Sequence, residues 1–173
     1  MNKVEIDRLL TRVSAGDNVA FEKLYEKTKR GVFAFVRTYL HNDADAEDVT
    51  QTVYLKIKKG IGGYKAGTNG GAWILQIAKN HALSLLRNAK TETALDDVEY
   101  VLAVPEHEMG GGVMEVMEQV LSEEEVRIVT LHVLWQYKHR EIAEMLERPT
   151  GTVTSAYKRA IEKLRKTLKE RNI

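Results

Sequence analysis

Apolar residues recur at helical spacing in most segments of this chain, and no segment shows the alternation of apolar and polar side chains that a half-buried strand requires. The first example is Ile6, Leu9, Leu10 and Val13, which predict a helix that ends near Gly16. We find no internal repeat. The sequence therefore predicts an all-α fold.

Two longer helices follow in the first half of the chain. The second helix begins at Asp17 or Asn18, both good N-cap residues, and stops by Asn42. The third opens at Asn42 or Asp43 and has acidic residues in its first turns, where the helix dipole favours negative charge.

A cluster of glycines then interrupts the helical pattern. It predicts a loop around Tyr64–Asn69, because glycines at this density mark turns and loops. A fourth helix runs from Ala72 to about Lys90. The residues that we expect at its core-facing positions are Ile74, Ile77, Ala78 and Leu85.

Helical patterns resume at Val113–Val120. Ser122 with Glu125 three residues later forms a capping box, which predicts the start of another helix. The apolar residues of that helix are Val126, Val129, Val133 and Leu134. Two more helices are expected, over about residues 139–147 and 150–171.

The net charge of +1 conceals a strong segregation of charge along the chain. Residues 1–90 contain 15 basic and 9 acidic side chains, residues 91–126 contain 11 acidic and no Lys or Arg, and residues 148–173 contain 8 basic and 2 acidic ones. Pro105 and Gly110–Gly112 interrupt the acidic stretch. We therefore expect two small helical domains, 1–90 and 113–173, joined by an acidic linker over 91–112, and basic domains suit a polyanionic partner.

Several classes of protein are excluded by composition. The absence of cysteine rules out a disulfide framework, thiol catalysis and cysteine zinc sites. No apolar run approaches the about 18 residues that a membrane span needs. The five histidines are scattered, and no catalytic arrangement is suggested by spacing. We expect a cytoplasmic protein that is not inserted in a membrane, is not an enzyme, and has no cofactor or metal.

The strongest local pattern is a pair of helices around Glu147–Thr150. A short helix with Ile142, Ala143 and Leu146 inside, a break that contains Pro149, and a second helix with a polar and then basic exposed face are typical of a helix-turn-helix. A helical hairpin with a solvated basic face is the alternative. The candidate DNA-binding residues on the second helix are Thr150, Thr152, Thr154, Ser155, Lys158, Arg159 and Lys163.

At this point the sequence resembles a known family. The stretch from Leu121 to Leu168, with its EIA, P-x-GTV-x-S and RA-x-x-x-LR motifs, is similar to region four of bacterial RNA polymerase sigma factors. The stretch from Phe21 to Arg87, with DAEDVTQTVYLKI and AWILQIAKNHALSLLR, is similar to region two. Nothing between them resembles region three, which is typical of the extracytoplasmic-function group, group four of the sigma-70 superfamily.

The resemblance implies two sites in the first domain. The DAED-x-x-Q helix of the family docks on the clamp of the polymerase, which assigns that contact to Asp45, Glu47, Asp48, Gln51 and Tyr54. The glycine loop and the following helix of the family open the promoter at its −10 element and hold an extruded base, which assigns Tyr64, Lys65, Asn69, Trp73, Lys79, Asn80 and Arg87. From the residues alone, helix capping also explains the acidic start, and core packing explains Trp73 better than base stacking does.

The implied function is that of a sigma factor, which binds core RNA polymerase and directs promoter recognition and melting. The implied partners are core RNA polymerase, promoter DNA at the −10 and −35 elements, and an anti-sigma factor. Two alternatives from other classes are a helix-turn-helix regulator that acts without polymerase and a sigma-like interaction protein that has lost promoter recognition.

The sequence departs from the family pattern at several positions. Members of the family commonly have Asp in place of Ser84, Phe in place of Gly70 and Gly in place of Glu147, and basic residues in place of Thr154 and Ala156. The first two departures imply a changed −10 site. The others imply that the −35 element is unusual or bound more weakly.

Overall fold

The computed structural model describes residues 2–93 and 113–170. Contacts divide the chain into two compact units, of which one contains the first of these ranges and the other contains the second. Within the two ranges the regular secondary structure consists of eight α-helices and one 3₁₀ turn, and no strand occurs. This confirms the all-α prediction. None of the helices there combines the length and the apolar character needed to cross a bilayer.

The first unit consists of α1 (Lys3–Ser14), α2 (Asn18–Leu40), α3 (Asp43–Gly60) and α4 (Gly70–Thr93), with a 3₁₀ turn at Ile61–Gly63 before α4. Each helix starts where a side-chain oxygen accepts a hydrogen bond from a backbone amide of the first turn. The capping residues are Asn2, Asp17, Asn42 and Asn69. The predicted starts of α2 and α3 are therefore confirmed.

The core of the first unit is formed by one apolar stripe from each helix. Leu10, Leu24, Ile57 and Ile74 are fully buried. Leu85 was expected to join them, but it is 39% exposed, because the buried stripe of α4 ends one turn earlier at Ala82 among the described side chains. Helix α4 extends to Thr93, and the rest of the predicted linker, residues 94–112, lies outside the described residues.

The second unit consists of α5 (Val113–Val120), α6 (Glu123–Val133), α7 (His139–Leu146) and α8 (Thr150–Glu170). The predicted capping box at the start of α6 is confirmed, since the Ser122 side chain accepts from the Glu125 amide and the Glu125 side chain accepts from the Ser122 amide. Helices α7 and α8 are joined by the short turn that the helix-turn-helix prediction required.

The core of the second unit differs from the expected one at the end of α6. Val126 and Val129 are buried as predicted, but Val133 is 54% exposed, and the expectation for it was wrong. Leu134, at the C-cap, is 42% exposed. The helix ends there, and the connection to α7 instead buries Trp135 and Tyr137, whose rings stack at a centroid distance of 6.4 Å. Aromatic residues in a short connection have no periodicity that could reveal them.

Candidate polymerase and nucleic-acid interfaces

The exposed face of α3 carries four of the five residues assigned to the polymerase contact. Asp45, Glu47, Asp48 and Gln51 are exposed. Leu55, one turn after Gln51 on the same side of the helix, is 61% exposed. The buried stripe of α3 lies on the opposite side, so this face is acidic and carries an exposed apolar side chain one turn beyond Gln51.

Tyr54, the fifth residue, does not belong to this face. It is 4% exposed, and its hydroxyl is 2.7 Å from Oγ1 of Thr28 on α2. The Tyr25 ring meets its ring edge-on, with the centroids 4.8 Å apart. Burial raises the pKa of Tyr54 well above its usual value and outweighs the opposing effect of its hydrogen bond with Thr28. Tyr54 therefore joins α3 to α2, and its burial leaves little of its surface for the predicted contact with polymerase.

The loop before α4 is held in place by Asp7 of α1. The Tyr64 hydroxyl donates to Oδ1 of Asp7, and the Gly67 amide donates to both carboxylate oxygens at 3.0 and 3.2 Å. Gly67 has a φ of +79°, which is the left-handed region that favours glycine. Sequence reasoning missed Asp7, because it is separated from Tyr64 by 57 positions and carries no local motif.

Tyr64 and Asn69 both have structural partners in this loop. The Tyr64 ring lies 5.2 Å from the Trp73 ring, and burial together with the bond to Asp7 raises the pKa of Tyr64 to about 12. Asn69 Oδ1 accepts from the Ala72 amide at 3.1 Å and so caps α4. Lys65 is exposed. The Trp73 ring is half-buried, so core packing accounts for only part of its surface.

Gly70 is a departure from the family pattern that the packing explains. A Cβ atom at this position would lie 2.6 Å from Cδ1 of Leu10 and 3.0 Å from the Tyr64 hydroxyl. The first distance is shorter than real contacts and the second is tight, so the phenylalanine common in the family would require Leu10 and Tyr64 to move. Ser84, the other departure in this unit, is half-buried.

Helix α4 brings three of the predicted DNA-binding residues onto one face. Trp73, Asn80 and Arg87 are seven positions apart, which corresponds to about two helical turns. Asn80 Oδ1 accepts a hydrogen bond from Gln76 at 2.8 Å. Lys79 is half-buried and lies on a neighbouring face.

His81, the residue after Asn80, faces α3. Its Nδ1 is 3.1 Å from Nζ of Lys56. Burial and the Lys56 charge both lower the pKa of His81, so the neutral ring is the form favoured beside this lysine.

The turn of the helix-turn-helix has an unusual backbone at Glu147. This residue has a φ of 54° and ends α7, and the following Arg148 amide donates to the Ala143 carbonyl at 2.9 Å. Glycine is the residue that best tolerates this left-handed C-terminal position. The departure at Glu147 therefore concerns the backbone of the turn after α7.

Helix α8 exposes six of its seven predicted residues: Thr150, Thr152, Ser155, Lys158, Arg159 and Lys163. Thr154 is half-buried, since its hydroxyl donates to the Thr150 carbonyl at 3.0 Å and lies 3.2 Å from Nδ1 of His139. Ala156 is 4% exposed and belongs to the core. The lack of a basic residue at Ala156 therefore says nothing about DNA recognition by this chain, contrary to our expectation.

Arg159 and Lys163 share one acidic partner, Glu125 of α6. Lys163 Nζ donates to Oε2 of Glu125 at 2.7 Å, and Arg159 Nε is 3.7 Å from Oε1. Glu125 is only 4% exposed, whereas the Arg159 and Lys163 side chains are about half-exposed. The sequence revealed Glu125 as a capping residue but not as the partner of α8.

Three rings meet where α6, α7 and α8 converge. The centroids of His132, His139 and Tyr157 lie between 4.5 and 4.9 Å from one another. Nε2 of His139 is buried without a hydrogen-bond partner. Burial, reinforced by the nearby His132, lowers the pKa of His139.

Comparison with known proteins agrees with this two-part architecture. The Sigma-70 region 2 family model matches residues 24–92, and the Sigma-70, region 4 model matches residues 115–164. An RNA polymerase sigma-H factor from Pseudomonas aeruginosa is 26% identical, over 93% of this chain and 92% of its own. The ECF RNA polymerase sigma-E factor of Escherichia coli is 27% identical, over 89% of each chain.

A solved structure shows the same fold. The sigma factor RpoE from Bartonella quintana, crystallised in complex with the anti-sigma factor NepR, is similar with a TM-score of 0.67 and 21% identity, over 86% of this chain and 96% of that one. Two helical units in this order, the second with a helix-turn-helix, define an RNA polymerase sigma factor. The chain belongs to the sigma-70 family, in its extracytoplasmic-function group.

Proposed function

We propose that this sigma factor binds core RNA polymerase through the exposed face of α3, captures the displaced promoter strand with the 64–69 loop and α4, and binds an upstream duplex with α8. It acts in the cytoplasm and catalyses no reaction of its own. Residues 91–112 connect the two domains as an acidic linker. An anti-sigma factor that covers these surfaces is the proposed regulatory partner, and the similar RpoE of Bartonella quintana was crystallised with the anti-sigma factor NepR.

The observation that supports this proposal most is the exposed face of α3 in the region-two unit. Helix capping accounts for Asn42 and the first acidic turn, but it needs neither Asp48 nor Gln51, which lie beyond the first turn. Leu55 adds an exposed apolar side chain to the same face. Exposed apolar side chains next to polar ones are common in protein interfaces.

The capture of single-stranded DNA is supported by chemistry at the loop and α4. Trp73 offers a half-buried ring on which a base can stack, and Asn80 and Arg87 follow it along one face of the helix. Base stacking on an aromatic side chain contributes about 1–3 kcal/mol per base. Lys65 and Arg87 supply positive charge for the phosphate backbone.

Reconstituted transcription tests the proposal. Core polymerase and the full chain are incubated with a fragmented genomic library, and transcript starts are sequenced. We expect starts that share upstream sequence elements. A helix-turn-helix regulator would instead bind duplex DNA stably without polymerase, and an interaction protein would bind polymerase without producing specific starts.

A matched pair of variants locates the polymerase contact. Asp48→Arg reverses the charge on the proposed α3 face, and Glu22→Arg makes the same change at an exposed position of α2. We expect Asp48→Arg to lower the affinity for core polymerase by at least about tenfold, because reversing a charge within an interface is costly. We expect Glu22→Arg to leave the affinity within about twofold of the wild type. Equal affinities for the two variants would refute the assignment to α3.

A further inference from the structure

The Glu125 carboxylate has two roles in the second unit: it caps α6 and it pairs with basic side chains of α8. Its Oε2 atom accepts from the Ser122 amide at 3.0 Å, which completes the capping box of α6. The same oxygen accepts from Lys163 Nζ at 2.7 Å, and Oε1 is 3.7 Å from Arg159 Nε. One carboxylate thus caps its own helix and pairs with two basic side chains of α8.

Glu125 is held in its charged form. Burial alone would raise its pKa, but the hydrogen bond from Lys163, the Ser122 amide and the charges of Lys163 and Arg159 outweigh burial and lower the pKa. The carboxylate is therefore ionised at neutral pH. A buried carboxylate of this kind depends on its partners, since an unpaired charge in this position would be costly.

The basic side chains of Lys163 and Arg159 remain accessible to a second anion. The Lys163 side chain is 45% exposed and that of Arg159 is 59% exposed. An ammonium group has three donors and a guanidinium group has five, so neither base uses all of its donors on Glu125. Two cations share one anion, however, and the charge available to a phosphate at this point is about half of what the sequence suggests.

We propose that Glu125 is an internal competitor of DNA phosphate, which lowers the affinity of α8 for duplex DNA in the free chain. This inference rests on the proposed function, in which α8 binds an upstream duplex. A phosphate that approaches Lys163 or Arg159 must compete with a carboxylate that is already in contact. The chain therefore binds DNA weakly by itself, and stable binding requires the additional contacts that polymerase and the first unit provide.

The substitution Glu125→Gln tests this with little disturbance of the fold. Glutamine is accepted at the same position of a capping box, so the bond from the Ser122 amide is kept while the charge is removed. The control is Glu124→Gln, which makes the same charge change one residue earlier and breaks the pair of Glu124 with Arg148, whose atoms are 2.9 Å apart. Arg148 is not among the predicted DNA-binding residues.

The binding measurement uses the full chain and a fluorescein-labelled duplex of mixed sequence, titrated at several salt concentrations. We expect Glu125→Gln to bind about fivefold more tightly than the wild type at low salt and Glu124→Gln at most about twofold more tightly. The log–log salt dependence of Glu125→Gln should be steeper by about 0.9, which corresponds to one more neutralised phosphate. Circular dichroism and the Tm of each variant must match those of the wild type, so that tighter binding is not due to basic side chains released by unfolding.

Lys163→Gln provides a second, independent test. In the wild-type chain this change should weaken binding less than about twofold, because Lys163 is already compensated, whereas in the Glu125→Gln background it should remove most of the gain. An equal effect in both backgrounds, or binding by Glu125→Gln that is equal to or weaker than that of Glu124→Gln, would overturn the proposal.

Failure of the inference and failure of the proposed function give different results. If the wild-type chain directs specific transcript starts with core polymerase but Glu125→Gln and Glu124→Gln bind duplex DNA alike, only the role of Glu125 is wrong. If the wild-type chain directs no specific starts, the function is wrong, and a gain in duplex affinity for Glu125→Gln would then describe a DNA-binding protein of another kind.

Discussion

Both units hold their proposed nucleic-acid-binding element with a carboxylate from an earlier helix, but the donors differ. Asp7 of α1 accepts from the neutral Tyr64 hydroxyl and Gly67 amide, whereas Glu125 of α6 accepts from a lysine and lies beside an arginine. In the first unit the carboxylate therefore fixes the shape of a loop. In the second it compensates charge on a helix whose shape is already fixed by its own hydrogen bonds.

The largest effect is expected from Gly70→Phe, which challenges the close fit in the first unit. The new side chain would displace Leu10 and Tyr64, because even a Cβ atom lies 2.6 Å from Leu10. We expect a loss of about 3 kcal/mol in the unfolding free energy of this unit, the upper end of the range for overpacking. Hydrogen exchange of buried amides in α1 and α4 measures it.

The control for this experiment is Gly63→Phe. A Cβ atom at Gly63 has nothing within 4 Å, so the same side chain should change stability by less than about 0.5 kcal/mol. Similar losses for both variants would show that phenylalanine is harmful in this loop region for a reason other than the contact with Leu10.

Asp7→Ala removes the carboxylate that orders the loop. We expect a loss of about 2 kcal/mol, since hydrogen bonds to a charged acceptor contribute about 1.5–3 kcal/mol, together with faster exchange of the Gly67 amide and reduced promoter opening at unchanged affinity for core polymerase. Asp7→Asn keeps one acceptor oxygen and should restore part of the function. Promoter opening is followed by the fluorescence of a base analogue in the displaced strand.

The comparison between the units sharpens when salt is varied. The control for Asp7→Ala is Glu5→Ala, which removes another carboxylate of α1 and breaks its half-exposed ion pair with Lys27. It should lower the unfolding free energy by less than about 1 kcal/mol. Salt screens charges, so the effect of Glu125→Gln on duplex binding should shrink at high salt, while the effect of Asp7→Ala on amide exchange should persist. If both effects were equally sensitive to salt, the distinction between shape and charge would fail.

Glu147→Gly addresses the strained turn in the second unit. Glu147 has a φ of 54°, which costs an ordinary residue about 1 kcal/mol and costs glycine little. We expect the variant to stabilise the second unit by about that amount and to raise its Tm. The opposite result is expected for Glu144→Gly, because that residue lies inside α7, where glycine costs about 1 kcal/mol. Parallel shifts of the two variants would refute this account of the turn.

The sequence predicts local features of this protein well and distant contacts poorly. The caps at Asp17 and Ser122 and the turn after α7 depend on neighbours within a few positions, so their chemistry is visible in the sequence. The contacts of Asp7 with Tyr64 and of Glu125 with Lys163 join residues 57 and 38 positions apart, and no pattern in a single sequence reports them.

The expectations for Tyr54 and Ala156, which are both buried, differ from the structure for another reason. Both were interpreted through the family motif, although each lies on the buried stripe of its helix. A motif shows which positions belong together, whereas the phase of the helix decides which of them reach the surface. Counting turns from Ile57 on α3 and from Val153 on α8 would have placed both residues inside.

The smallest effect is expected when the pH is lowered. Each of the two histidines with a lowered pKa should change the unfolding free energy only of the unit that contains it. Because the pKa of His139 is lowered in the folded chain, the unfolded chain binds more protons between that value and the ordinary pKa of about 6.5. The unfolding free energy of the second unit should therefore fall as the pH decreases below about 6.5. His139→Gln should flatten this dependence, measured by hydrogen exchange of α7 and α8, while His81→Gln should alter only the first unit, where the pKa of His81 is also lowered. An unchanged pH dependence of the second unit in His139→Gln would show that the ring cluster does not control its response to acid.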